Sequence, residues 1–218
     1  MIVSMARDLS EISRLGLTLA YTVDTHIHAD HITAARELKN KVGSKIAAPA
    51  FDHLPCADIG IEEGVPFRVG SMALQPLHTP GHTAGHFAYL SGQRLFTGDA
   101  LLIEGCGRTD FQNGDADALY KSVREKLFSL PDDTLVYPAH DYKGRHVSCI
   151  AQEKKRNPRL GQERTLEQFR IIMENLNLPY PAFIDFAVPG NQQCGTCPDH
   201  LPENLEKYCS QMTKSPQG

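Results

Sequence analysis

The chain has 218 residues, 41 % of them hydrophobic and 22 % charged, with a formal net charge of −4. One domain of ordinary globular composition is expected at this length, and the acidic balance argues against a nucleic-acid partner. No apolar run approaches the roughly 20 residues that cross a bilayer, and the polar start MIVSMARDLSEISRLG does not read as a secretory signal. Its six cysteines, Cys56, Cys106, Cys149, Cys194, Cys197 and Cys209, are widely spread. Without an export signal they are expected to be free thiols in a reducing cytoplasm.

In chain order, Leu9, Ile12 and Leu15 share one helical face, with Gly16 as a stop. Residues 17–23 read as a strand that runs into THIHADH. A second helix is expected over 32–42, closed by Gly43, and a short strand around Ile46. Between 64 and 99, alternating polarity predicts strands at Val65–Val69, Met72–Leu77, His86–Leu90 and Arg94–Thr97. Ser91-Gly92 supplies the hairpin turn between the last two. Ala116–Leu130 is predicted to be an amphipathic helix with Leu119, Val123 and Leu127 inward. A strand at Leu135–Tyr137 ends at Pro138-Ala139-His140, and helical patterns return at 148–156 and 165–176. Beyond Pro189 the chain reads as a polar tail, partly disordered at its end. Sheets covered by helices follow, an α/β (α+β) class, with ligands collected on loops after strand ends.

Those loops hold the chemistry. His26, His28, Asp30 and His31 alternate on one loop after a strand, and imidazole with carboxylate suits zinc, iron or manganese. His82 stands in TPGHTAGH, where glycines permit a tight turn. Asp99 ends a strand in FTGDA, and His140 follows one in YPAHDY. Each of the last three is a weak signal alone; the four sites in this order are a strong one.

The order HIHADH, GH, GD and a late His resembles the metallo-β-lactamase superfamily, whose fold is a four-layer αββα sandwich with metal at one edge. From Gly98 the run GDALLIEGCGRTDFQNGDADALYKSVREKLFSLPDDTLVYPAHDYKG is similar to the persulfide dioxygenase group. NPRL at 157–160 and NLNLPYP…IDFAVPGNQQCG at 175–195 extend the match. This resemblance implies a domain over residues 1–195, a tail over 196–218, and one Fe(II) per chain held by His26, His82 and Asp99. It implies glutathione persulfide and O2 as substrates, with sulfite and glutathione as products. His28, Asp30, His31 and His140 then orient the ligands or bound water. Arg108 is expected to take a glutathione carboxylate, and Tyr142 to hydrogen-bond the tripeptide or the persulfide. The ligand set alone also accommodates two metals, zinc or iron, as in hydroxyacylglutathione hydrolase, where a bridging hydroxide attacks a thioester.

Cys106 and Cys194 occupy positions that match the family and are not expected to be nucleophiles. Cys194-Gly-Thr-Cys197 has the spacing of half a zinc site or a redox pair, and is read instead as two ordinary thiols. Family members place strands before the helix that leads to the first motif, whereas here that helix starts near residue 7. An exposed sheet edge is therefore expected, covered by a partner or a second copy in a homodimer. A truncated, non-catalytic paralogue is the third alternative.

Overall fold

The computed structural model describes residues 5–198. The chain forms two compact units, Met1–Gly60 with Tyr180–Gly218, and Ile61–Pro179.

The first unit opens with helix α1 (Met5–Arg14), which has no fully buried residue. Strand β1 spans Tyr21–Val23, so only the end of the expected 17–23 strand forms. The residues just before it continue from α1 instead, Leu17 N–H donating to Ile12 O at 3.0 Å, and Leu15 and Leu17 stay exposed. Helix α2 (Ala35–Val42) crosses over to β2 (Lys45–Pro49), which pairs in parallel with β1 in the register Tyr21↔Lys45 to Val23↔Ala47. Gly43 ends α2 in a left-handed conformation (φ 74°), donating its N–H to Lys39 O, a stop that an L side chain would strain. A third strand, β3 (Ile59–Ile61), completes the order β1-β2-β3 and was not anticipated from sequence.

Helix α6 (Ile184–Gln192) belongs to the same unit and contradicts the expectation of a tail beyond Pro189. Proline and glycine inside IDFAVPGNQ usually mark a helix end. Here Phe186 and Ala187 pack with Ile32, and that burial outweighs the one backbone hydrogen bond that Pro189 cannot donate. The expected free thiols at Cys56 and Cys194 are likewise corrected: they form a disulfide with sulfurs 2.05 Å apart, across a separation of 138 residues. Cys197 is disulfide-bonded too, so among the described residues the free thiols are Cys106 and Cys149. Residues so distant in sequence give no spacing signal, because only the return of the C-terminal segment brings them together. Most of the predicted 196–218 tail lies outside the described residues.

The second unit is built on a six-stranded sheet in the order β4-β5-β6-β7-β8-β9: β4 (Phe67–Val69), β5 (Met72–His78), β6 (Phe87–Ser91), β7 (Arg94–Gly98), β8 (Leu135–Pro138) and β9 (Ser148–Cys149). The neighbours are antiparallel except β7 and β8, which are parallel. A parallel pair needs a crossover, and helix α3 (Ala116–Lys121) with a wider π turn over Ser122–Leu127 supplies it. Phe128 N–H donates to Val123 O, five residues back, at 2.8 Å. The widened turn keeps residues four apart on one side, and Leu119, Val123 and Leu127 are all fully buried. They join Leu95, Leu101, Val136, Ile150, Leu160 and Phe169 in the core. Phe169 comes from α5 (Leu166–Glu174), started by a capping box between Thr165 and Gln168, and Ile150 from α4 (Ile150–Arg156).

Candidate metal centre

In the second unit the proposed ligands stand on loops that leave the ends of the strands. His82 lies on the loop after β5, Asp99 immediately after β7 and His140 soon after β8. Asp99 is flanked by both imidazoles: His82 Nε2 is 3.4 Å from Oδ2 and His140 Nε2 is 3.6 Å from Oδ1. All three side chains are mostly but not wholly buried, at 12 %, 18 % and 14 % exposure for His82, His140 and Asp99, so the cluster is shielded yet reachable.

Local bonds decide which ring atoms are available. His82 Nδ1 lies 2.7 Å from the carbonyl of Arg108. A carbonyl only accepts, so Nδ1 carries the proton and donates it. With Nδ1 so engaged, Nε2 is the ring atom left facing the Asp99 carboxylate, 3.4 Å away, and imidazole beside carboxylate is a donor pair that suits a metal cation. The donor set fits a metal on that ground, and the bond from Nδ1–H to a carbonyl is a common brace of metal-bound histidine.

Gly107 makes this arrangement possible. Its N–H donates to Asp99 O at 2.7 Å. A Cβ there would stand 2.6 Å from the same oxygen and 2.7 Å from His82 Nδ1. Nearby, Gly81 has φ +135° and would drive a Cβ to within 2.2 Å of the backbone nitrogen of Leu119. The two glycines thus allow the His82 loop to lie against both the Asp99 loop and α3.

One contributor went unnoticed in the sequence. His86 is fully buried, and its Nε2 accepts the backbone N–H of Asp99 at 3.1 Å. Its Nδ1 therefore carries the proton and donates to Thr79 Oγ1 at 2.8 Å. The signal was a second Gly-His pair in TPGHTAGH, which looks no different from a surface histidine until its neighbours are known.

Around this cluster, Tyr142 is 90 % exposed, and its ring stacks on His140 with centroids 6.2 Å apart. Arg108 holds Asp110 through two parallel bonds, Nε to Oδ1 at 2.6 Å and Nη2 to Oδ2 at 2.7 Å, and donates Nη1–H to Pro179 O at 2.8 Å. The guanidinium pulls the Asp110 carboxyl below its ordinary range. A cleft of about 240 Å³ opens beside them, lined by Arg108, Thr109, Asp110, Met173, Asn177 and Leu178 among others. Cys106 is buried, and burial pushes its thiol up to about 11, which removes it as a nucleophile near neutral pH.

The first unit carries the other motif. His26 is 2 % exposed, with Nδ1 2.8 Å from Thr25 Oγ1. His28 packs between His26 and His31, with ring centroids 4.3 and 4.5 Å away. His28, Asp30 and His31 bring one ligand atom each within 4.8 Å of one another, and His31 Nδ1 is 3.0 Å from Asp30 Oδ1. Behind them Asp24 lies 3.9 Å from His28 Nε2; burial raises its carboxyl to about 6, against the pull of the Thr33 hydroxyl and of His31.

Asn191 of α6 clasps this loop by its backbone and was also missed. Its Nδ2 donates to His28 O and to His31 O, each at 2.8 Å. Its Oδ1 accepts the Thr33 N–H at 2.8 Å. Both Nδ2 protons are thus used on the loop, by a side chain that is itself buried.

Residues 55–140 match the metallo-β-lactamase superfamily. The human mitochondrial persulfide dioxygenase ETHE1 is 49 % identical over 191 residues, covering 87 % of this chain and 74 % of that protein. The crystal structure of ETHE1 from Myxococcus xanthus superposes with a TM-score of 0.86 at 50 % identity, covering 89 % of this chain and 86 % of that one. A hydroxyacylglutathione hydrolase of Pseudomonas entomophila is 37 % identical over 131 residues, covering 58 % of this chain and 49 % of that protein.

Proposed function

Because the chain belongs to the persulfide dioxygenase group of the metallo-β-lactamase superfamily, we propose that it oxidises glutathione persulfide at a single non-haem iron(II). The reaction consumes one O2 and one water per persulfide and yields glutathione, sulfite and two protons. The observation that carries this reading is the extent of the likeness. Identity near one half runs over 87 % of the chain with the persulfide dioxygenase, against 58 % at lower identity with the hydrolase.

His26, His82 and Asp99 would hold the iron, two imidazoles and a carboxylate that leave up to three positions open. Bound there, iron(II) would activate O2 toward the terminal sulfur, which itself gives up the four electrons that O2 takes. The chain's own residues prepare the setting. The Arg108 carbonyl keeps His82 in the tautomer that offers Nε2, and His86 fixes the backbone of Asp99. His28, Asp30, His31 and His140 orient these groups and hydrogen-bond water. Tyr142 reaches solvent and meets the incoming tripeptide. Arg108 spends three of the five N–H bonds of a guanidinium on Asp110 and Pro179, which leaves two for a glutathione carboxylate. The neighbouring cleft receives the peptide.

A second reading is favoured by the grouping of His28, Asp30 and His31 within 4.8 Å and by His140 on the second oxygen of Asp99. Those residues would complete a two-metal thioester hydrolase. Oxygen uptake separates the two. Protein loaded anaerobically with Fe(II) and given glutathione persulfide is expected to consume O2 and release sulfite one to one, with about one iron per chain, and to lose both in His82→Ala. A folded, iron-loaded chain that takes up no O2 but cleaves glutathione thioesters with two metals bound would replace this reading with the hydrolase.

A further inference from the structure

The first ligand loop is held by the far end of the chain, and that hold is covalently locked. Asn191 binds the loop at His28 O, His31 O and Thr33 N. Gly195 lies so close that a Cβ on it would come 2.0 Å from Thr33 O, and Gly190 lies beside Ile32, where a Cβ would make ordinary van der Waals contact at 3.4 Å. The backbone N–H of Arg36 donates to Cys194 O at 3.1 Å, and the Arg36 guanidinium donates twice to Gln193 O. In the middle of this contact the Cys56–Cys194 disulfide ties the segment to the chain just after β2. Cys194, 1 % exposed, packs with Ala35 and Ile46, and Cys56 borders that cluster, only partly buried.

We propose that Asn191 is the positioning residue of the His26–His31 loop and that the Cys56–Cys194 disulfide locks it in place, so that reduction of this bond by a small thiol weakens metal binding. The inference rests on the reading of His26 as a metal ligand. Only three residues of backbone separate Cys194 from Asn191, and the three hydrogen bonds of Asn191 carry the connection on to the loop. Breaking the cross-link frees the end of α6 to move, and the three Asn191 bonds then compete with water.

The exchange balances without an outside oxidant. A thiolate attacks the more accessible Cys56 sulfur, forming a mixed disulfide and expelling Cys194 as a thiolate, which takes up a proton. A second thiol resolves the mixed disulfide, leaving two cysteine thiols and the small thiol's own disulfide. Glutathione, a product of the proposed reaction, is a thiol of the required class, so the reaction would generate the agent that loosens its own site.

The test reads metal binding, with dioxygenase activity measured separately. Cobalt(II) is titrated into metal-free protein before and after reduction with a phosphine, which is removed before the titration. Thiol counting establishes that the disulfides have opened. Reduction is expected to weaken cobalt binding about tenfold or more, the size typical of losing a residue that braces ligands, and reoxidation to restore it. Cys56→Ser should bind as weakly as the reduced protein, whereas Cys197→Ser should bind like the oxidised one. Asn191→Ala should show the same loss in either redox state. Circular dichroism checks that each variant is folded. Unchanged cobalt affinity in a fully reduced or Cys56→Ser protein would overturn the lock, and unchanged affinity in folded Asn191→Ala would overturn the positioning role. If cobalt binds normally in the oxidised protein but O2 uptake is absent, the dioxygenase reading fails while the lock stands.

Discussion

The backbone N–H of Asp99 points at Nε2 of His86 across 3.1 Å. A histidine that reaches neither solvent nor substrate thus determines where the shared carboxylate begins, and its own ring is set by Thr79.

Replacing His86 with alanine should therefore injure both stability and metal binding. The change empties a fully buried site and strands the Asp99 N–H and the Thr79 hydroxyl, for a loss of about 2–5 kcal/mol. Metal affinity should fall about 10–100-fold. His86→Gln presents a carbonyl near the old Nε2 and should recover much of the affinity. Urea unfolding and a metal titration on the two variants measure this; equal affinities in wild type and His86→Ala would refute it.

Gly107→Ala should perturb the centre through shape alone. The new methyl would press on Asp99 O and His82 Nδ1, neither of which can yield without breaking its own hydrogen bond. Overpacking of this kind costs about 1–3 kcal/mol. The expected signature is a drop in metal affinity larger than the drop in melting temperature would suggest. Gly105→Ala, where a Cβ meets only Leu102 Cβ at 3.8 Å, serves as the control and should be nearly silent.

The first unit should also lose stability in acid at a named residue. Asp58 accepts the Ile46 N–H at 2.8 Å and binds Lys39 at 2.5 Å, which together hold its carboxyl below the ordinary range. A depressed folded value means that the stabilisation is complete above the unfolded value of about 4 and fades as pH falls below it. Asp58→Asn keeps an acceptor for Ile46 but cannot titrate. Its urea midpoint should fall less between pH 6 and pH 3 than that of the wild type. Parallel curves would show that Asp58 contributes nothing to the acid limb.

Much of the architecture was legible because it is written in local pattern. The alternation through β5, β6 and β7, the Ser91-Gly92 turn, and the inward row of Leu119, Val123 and Leu127 depend on neighbours in sequence, and the structure repeats them. The grouping of His82, Asp99 and His140 was legible for a different reason: each follows a strand. What stayed hidden is long-range. Asn191 looks like any polar residue beside a proline and a glycine until α6 is packed on Ile32. Cys56 and Cys194 look unrelated until the C-terminal segment returns to the first unit. The sequence reading also gave Arg108 to a substrate carboxylate, without foreseeing that Asp110, two residues on, already holds its fork.

The clasp on His31 comes from a residue 160 positions later in the chain. At a synthesis rate of ~5–20 residues per second, that interval is roughly 8–30 s. During translation the early ligand loop therefore emerges long before its fastener does. A nascent or prematurely terminated chain that ends before α6 would therefore carry the His26–His31 loop without the side chain that holds its backbone.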